Sequence, residues 1–173
     1  MTAGRFIHYT LNFTVFFLVQ VFIMKDLVLF GTAFCFLYVF FLLHLPIETK
    51  PIPLMLISFL TGVLIDLFYD TMGMHAASCV LLAFVRNTWI HANTPTGGYD
   101  DNVPPTLLNM GFGWYLTYSL PLITTHHLLF FYIDNLGTEL YLPLVIRVIS
   151  SVFFTFVLGI IIQMIFYNKK RGI

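Results

Sequence analysis

The chain has 173 residues, of which 59% are hydrophobic and 9% charged, with a mean hydropathy of +0.90. Eight Lys and Arg offset eight Asp and Glu, so the charge balance points neither to nucleic acid nor to an acidic docking arm. So little polar surface excludes a water-soluble globule of this length and places the chain in a bilayer.

A membrane-crossing helix needs about 20 mostly apolar residues. By that measure the sequence predicts a single transmembrane domain, 1–173, with spans at about 6–24, 27–45, 53–69, 74–91, 107–133 and 140–167. The first follows Arg5 and lacks a small-residue cleavage site, so it is expected to be retained rather than removed as a signal. Only Lys25 and Asp26 separate the first two spans, and 70–73 separates the third and fourth, so each pair is expected to form a tight antiparallel hairpin. Cys35 and Cys79 lie in apolar runs, where a thiol behaves as a small hydrophobe. Prolines at 46, 51 and 53 end one span and begin the next. The stretch HANTPTGGYDDNVPPT, 91–106, is the one substantial loop. Its glycines lack the lysine and the strand-to-helix setting of a phosphate loop. Arg5, Lys50, Lys169, Lys170 and Arg171 lie on one side against Lys25 on the other, which predicts cytoplasmic termini.

Within GVLIDLFYDTMGMHAA, 62–77, Asp66 falls about one turn before the outer end of the third span and Asp70 at its edge. A carboxylate at the depth of Asp66 costs on the order of 2 kcal/mol or more unless it faces protein or water. Ser58, Gly62 and Asp66 recur every four residues and predict a small, polar ridge for close helix approach. Leu60, Val63, Leu64 and Leu67 are expected to face lipid. A second ridge, Arg147, Ser151, Thr155, Gly159 and Gln163, winds along the last span and is expected to meet different neighbours at different depths. Arg147 reaches a depth similar to that of Asp66, and the two are expected to pair.

His75, His126, His127, Asp134 and Glu139 gather in the same half. Such groups suit a metal site or a proton relay, whereas the plainer reading is structural hydrogen bonding. His126 and His127 point about 100° apart on a helix and cannot both ligate one ion. Arg86, near the inner end of the fourth span, is read as snorkelling to headgroups or as part of a helix–helix ion pair. Pro121 is expected to kink its helix, with Thr117 satisfying a freed backbone group.

The stretch GVLIDLFYDTMGMHAASCVLLAF, with Gly62, Asp66, Gly73 and Ala76 at its marked positions, resembles the signature region of the rod shape-determining protein MreD family. PTGGYDD and the His126–His127 pair resemble one branch of it, while Asn87 stands where many relatives place a proline after the arginine. The resemblance implies an all-α protein of six transmembrane helices in the bacterial inner membrane, similar to the six-helix substrate-binding component of vitamin transporters. It implies a non-enzymatic subunit of the cell-elongation complex that binds MreC and helps couple MreB to peptidoglycan synthesis by RodA and a transpeptidase, with no cofactor, metal or nucleic acid. A small-molecule-binding component of a transporter is the alternative. An intramembrane enzyme built on His126, His127 and Asp134 lacks a nucleophile with a base at workable spacing.

Overall fold

The structure, a computed structural model, describes residues 3–100, 103–137 and 141–166. Glu139, Lys169, Lys170, Arg171 and the side chain of Arg5 lie outside the described residues. The chain is mostly helical. Helix α1 (Ala3–Val19) continues as a π-helical turn, Gln20–Met24. Two short antiparallel strands follow, β1 (Val28–Leu29) and β2 (Ala33–Phe34), with Val28 opposite Phe34. After them come α2 (Val39–Leu43), α3 (Pro51–Tyr69), α4 (Met74–Ala92), α5 (Leu107–Met110), α6 (Phe112–Asp134) and α7 (Tyr141–Phe166). Among the described residues three helical stretches are long and apolar enough to cross a membrane: Ile7–Met24, Pro51–Tyr69 and Tyr141–Phe166.

The largest departure from expectation is the second span. Residues 27–45 are not a continuous helix; they form the strand pair, a short link with a turn at 37–38, and the five-residue α2. Hydropathy counts apolar side chains and cannot distinguish a helix from a buried strand of similar composition. The sequence VLFGTAF carries the local cause. Phe30 and Gly31 have φ of 52° and 69°, and Thr32 N–H bonds the Leu29 carbonyl at 3.1 Å, the geometry of a hairpin turn with both central residues left-handed.

This irregular segment lies at the centre of the buried core. From Cys35 to Leu45 no residue is more than 6% exposed, whereas Ile52, Leu67, Ile149 and Phe153 on the long helices are at least 65% exposed. The helices therefore surround a threaded segment, a turn followed by α2, and turn apolar faces outward. Leu60, Leu64 and Leu67 are exposed as expected, and Val63 is half-buried.

Around the segment, α3 packs on α4, α4 on α6, and α6 on α7, which in turn holds β2. Lys50 precedes α3 and Pro51 opens it, where the missing N–H costs nothing. The expected span at 107–133 is divided by Gly111, whose φ of 83° separates α5 from α6. Pro121 removes the hydrogen bond that the Thr117 carbonyl would otherwise accept. The partner that replaces it comes from another helix: Trp89 Nε1 donates to Thr117 O at 3.0 Å. The Thr117 hydroxyl, expected to fill this role, instead donates to Trp114 O at 2.9 Å.

Candidate functional site: the polar interior

Backbone buried in apolar surroundings needs a partner for every N–H and C=O. Side chains of the surrounding helices supply partners to residues 34–45. On α7, Ser151 Oγ accepts the Phe34 N–H at 2.9 Å and Thr155 Oγ1 accepts the Phe36 N–H at 3.1 Å. One turn further, a Cβ on Gly159 would fall inside the ring of Phe40. Gln163 then accepts the Leu107 N–H at 2.9 Å and donates to Tyr115 Oη at 2.8 Å. The winding ridge thus meets β2, the threaded segment and α5 in turn, as its 40° advance per step requires.

From the other side, Gln20 in the π-helical turn donates to Cys35 O at 3.0 Å and accepts the Tyr38 N–H at 3.3 Å. It also donates to Tyr69 Oη at 2.6 Å, tying α3 to the same point. A lone glutamine in an apolar helix was the available sequence signal for this residue.

Arg86 is 1% exposed and neither snorkels nor, among the described residues, makes an ion pair. Its Nη2 donates to Leu45 O at 2.6 Å and to Leu43 O at 3.4 Å, and its Nε donates to Tyr118 Oη at 2.8 Å. Tyr118 in turn donates to Leu43 O at 2.8 Å. The guanidinium sits where α2 ends and its unpaired carbonyls concentrate partial negative charge.

Asp66 and Arg147 do not pair. Asp66 Oδ1 accepts the His75 N–H at 3.0 Å and the Thr71 hydroxyl at 2.5 Å, and Oδ2 accepts the Ala76 N–H at 2.9 Å. The carboxylate thereby satisfies two of the free N–H groups that open α4, and its charge suits that end of the helix. Arg147 Nη1 instead contacts Asp134 Oδ2 at 2.9 Å, with the guanidinium 5.4 Å from the Phe34 ring centre. The correction follows from local geometry. The turn after α3 brings the start of α4 back onto Asp66, so three local donors serve the carboxylate without a distant cation.

The other marked residues of the 62–77 stretch belong to the same construction. A Cβ on Gly62 would collide with the Ala76 backbone, so the Ser58–Gly62–Asp66 ridge is the close-approach surface that its spacing predicted. Gly73 has φ of 91°, a left-handed value that favours glycine. Asp70 is exposed and ends α3 with φ of 56°.

The histidines diverge. His127 Nδ1 lies 2.8 Å from Ile123 O, so it carries the proton, and Nε2 accepts the Thr155 hydroxyl at 3.0 Å. His126 and His75 both turn to Tyr38 Oη, at 2.7 and 2.8 Å. Asp134 stays apart with Arg147. Among the described residues no group of three or more His, Cys, Asp or Glu could hold a metal. No local pattern marks Tyr38, because its segment has the composition of a lipid-spanning helix.

An open groove of about 690 Å³ lies along the α3–α4 pair, lined by Met55, Phe59, Ala76, Val80 and Phe84 among others. Comparison of the chain with family models, curated proteins and solved structures returns no match.

Proposed function

We propose that the chain is a non-enzymatic membrane subunit of the bacterial cell-elongation complex, of the MreD type. In this role it binds MreC and helps couple MreB to peptidoglycan synthesis by RodA and its transpeptidase partner. The observation that carries the reading is the convergence of Gly62, Asp66, Gly73 and Ala76 on one lock. Close approach, helix capping and a left-handed turn each use one of the residues on which the resemblance rests.

The polar side chains support a scaffold. Ser151, Thr155, Gln163, Gln20 and Arg86 are all engaged with backbone or with one another, so their chemistry is spent on fixing shape. The transporter alternative needs an internal chamber for a ligand, and residues 35–45 fill the middle of the helix ring. In the inner membrane the chain crosses six times, the second crossing being the threaded segment, and both termini lie in the cytoplasm. The short hairpin and the 70–73 turn then face outward.

Affinity purification of the tagged chain from mild detergent tests this. Recovery of MreC with elongation proteins is expected. Recovery of an energising ATPase pair without elongation proteins would replace this reading with the transporter one.

A further inference from the structure

Tyr38 lies between two imidazoles that are 0% exposed. Its hydroxyl oxygen is 2.8 Å from His75 Nδ1 and 2.7 Å from His126 Nε2. The far nitrogens, His75 Nε2 and His126 Nδ1, are buried and make no hydrogen bond among the described residues. Phe36 packs on both rings, with centroids 5.1 and 5.7 Å away, and Phe130 lies 4.4 Å from His75. Cys79 Sγ, a weak donor and acceptor, approaches at 3.8 Å from Tyr38 Oη and 3.9 Å from His126 Nε2, longer contacts than either bond of the tyrosine to the rings.

A phenol carries one proton, and so does a neutral imidazole. Tyr38 can therefore donate to only one ring and must accept from the other. If it donates to His75 Nδ1, the His75 proton is on Nε2, and His126 donates to Tyr38 from its own Nε2. If it donates to His126 Nε2, the His126 proton is on Nδ1, and His75 donates from its own Nδ1.

We propose that Tyr38, His75 and His126 form one proton-sharing unit, in which both rings are neutral and carry their protons on the same-named nitrogen. The two arrangements are both-Nε2 and both-Nδ1. Each leaves one N–H and one lone pair on the far nitrogens, and reversal exchanges them. The state of one ring, on α4, is thereby linked through the threaded segment to the other, on α6.

Nitrogen NMR of the full chain, labelled at histidine and held in detergent at neutral pH, tests the unit. Resonances are assigned by their loss in single His→Gln variants. His75 and His126 are expected to report the same tautomer, or the same averaged population. One ring on Nδ1 and the other on Nε2, or an imidazolium at either, would overturn the proposal. Tyr38→Phe removes the link, so both signals should move. Unchanged signals in a folded Tyr38→Phe chain would also overturn it. If that variant does not fold, the wild-type tautomers decide alone.

Discussion

Arg86→Met is expected to remove most of the folded, monodisperse protein recovered in detergent. The substitution keeps much of the apolar stem but leaves the Leu45 carbonyl and the Tyr118 hydroxyl short of the donor they now use. The Leu45 carbonyl, buried and left without that donor, costs about 1–3 kcal/mol, and the Tyr118 hydroxyl, which keeps its bond to Leu43 O, adds less, so a total of about 3 kcal/mol is expected. Marginal folded states do not survive losses of that size. Arg86→Lys should be intermediate, because an ammonium can reach one carbonyl but cannot also hold Tyr118 with the geometry of a planar fork. Thermal melting of purified protein separates the three chains. Wild-type stability in Arg86→Met would mean that the carbonyl end of α2 is satisfied in some other way.

Asp66→Leu should be comparably damaging, for a reason different from the one its depth alone suggests. Three donors converge on the carboxylate, and bonds to a charged acceptor are worth roughly 1.5–3 kcal/mol each. Part of that is returned, because the charge no longer has to be kept from water. A net loss of about 3 kcal/mol is expected. Asp66→Asn should fall between, since its amide oxygen can serve one side of the cap while its NH₂ group faces the other.

The companion test concerns Arg147. Were Asp66 its partner, Arg147→Met would rescue Asp66→Leu by removing the stranded charge. With Asp134 as the partner, the two substitutions should simply add. Arg147→Met alone should cost only about 0.2–1 kcal/mol, because both members of that pair are about one-third exposed, at 36% and 34%. Melting temperatures of the four chains give the coupling directly. Recovery in the double variant would restore the discarded pair.

Periodicity made both polar ridges legible, because steps of four mark one winding face whatever its partner. It identified Gly62 and Gly159 as close-approach points and placed Leu60, Leu64 and Leu67 outside. Partner identity was less accessible. Depth put Asp66 and Arg147 at one level, but depth says nothing about angle around the bundle, and a capping site ten residues away in sequence was nearer. Residues 27–45 depart from expectation for a related reason: an apolar run long enough to span need not be helical. The needed information lay elsewhere in the chain, in Ser151, Thr155, Gln20 and Arg86, which supply partners to backbone outside any long helix. Long-range satisfaction of this kind is invisible to any local window, and Tyr38 and its histidines were hidden with it.

A size exchange between Gly159 and Phe40 tests most directly the threading of residues 35–45 past α7. Gly159→Leu alone should lower folded yield sharply, because its side chain would enter the space of the Phe40 ring. Ile161→Leu, on the exposed side of the same helix, should be nearly silent. Phe40→Ala alone should also be costly, since truncating a buried Phe loses about 3–5 kcal/mol. Combined, the two changes place the new leucine in the volume that the ring vacates, and the double variant should fold better than either single one. A double variant that folds as poorly as the sum of its parts would show that Phe40 does not lie on Gly159, and would contradict the threaded segment.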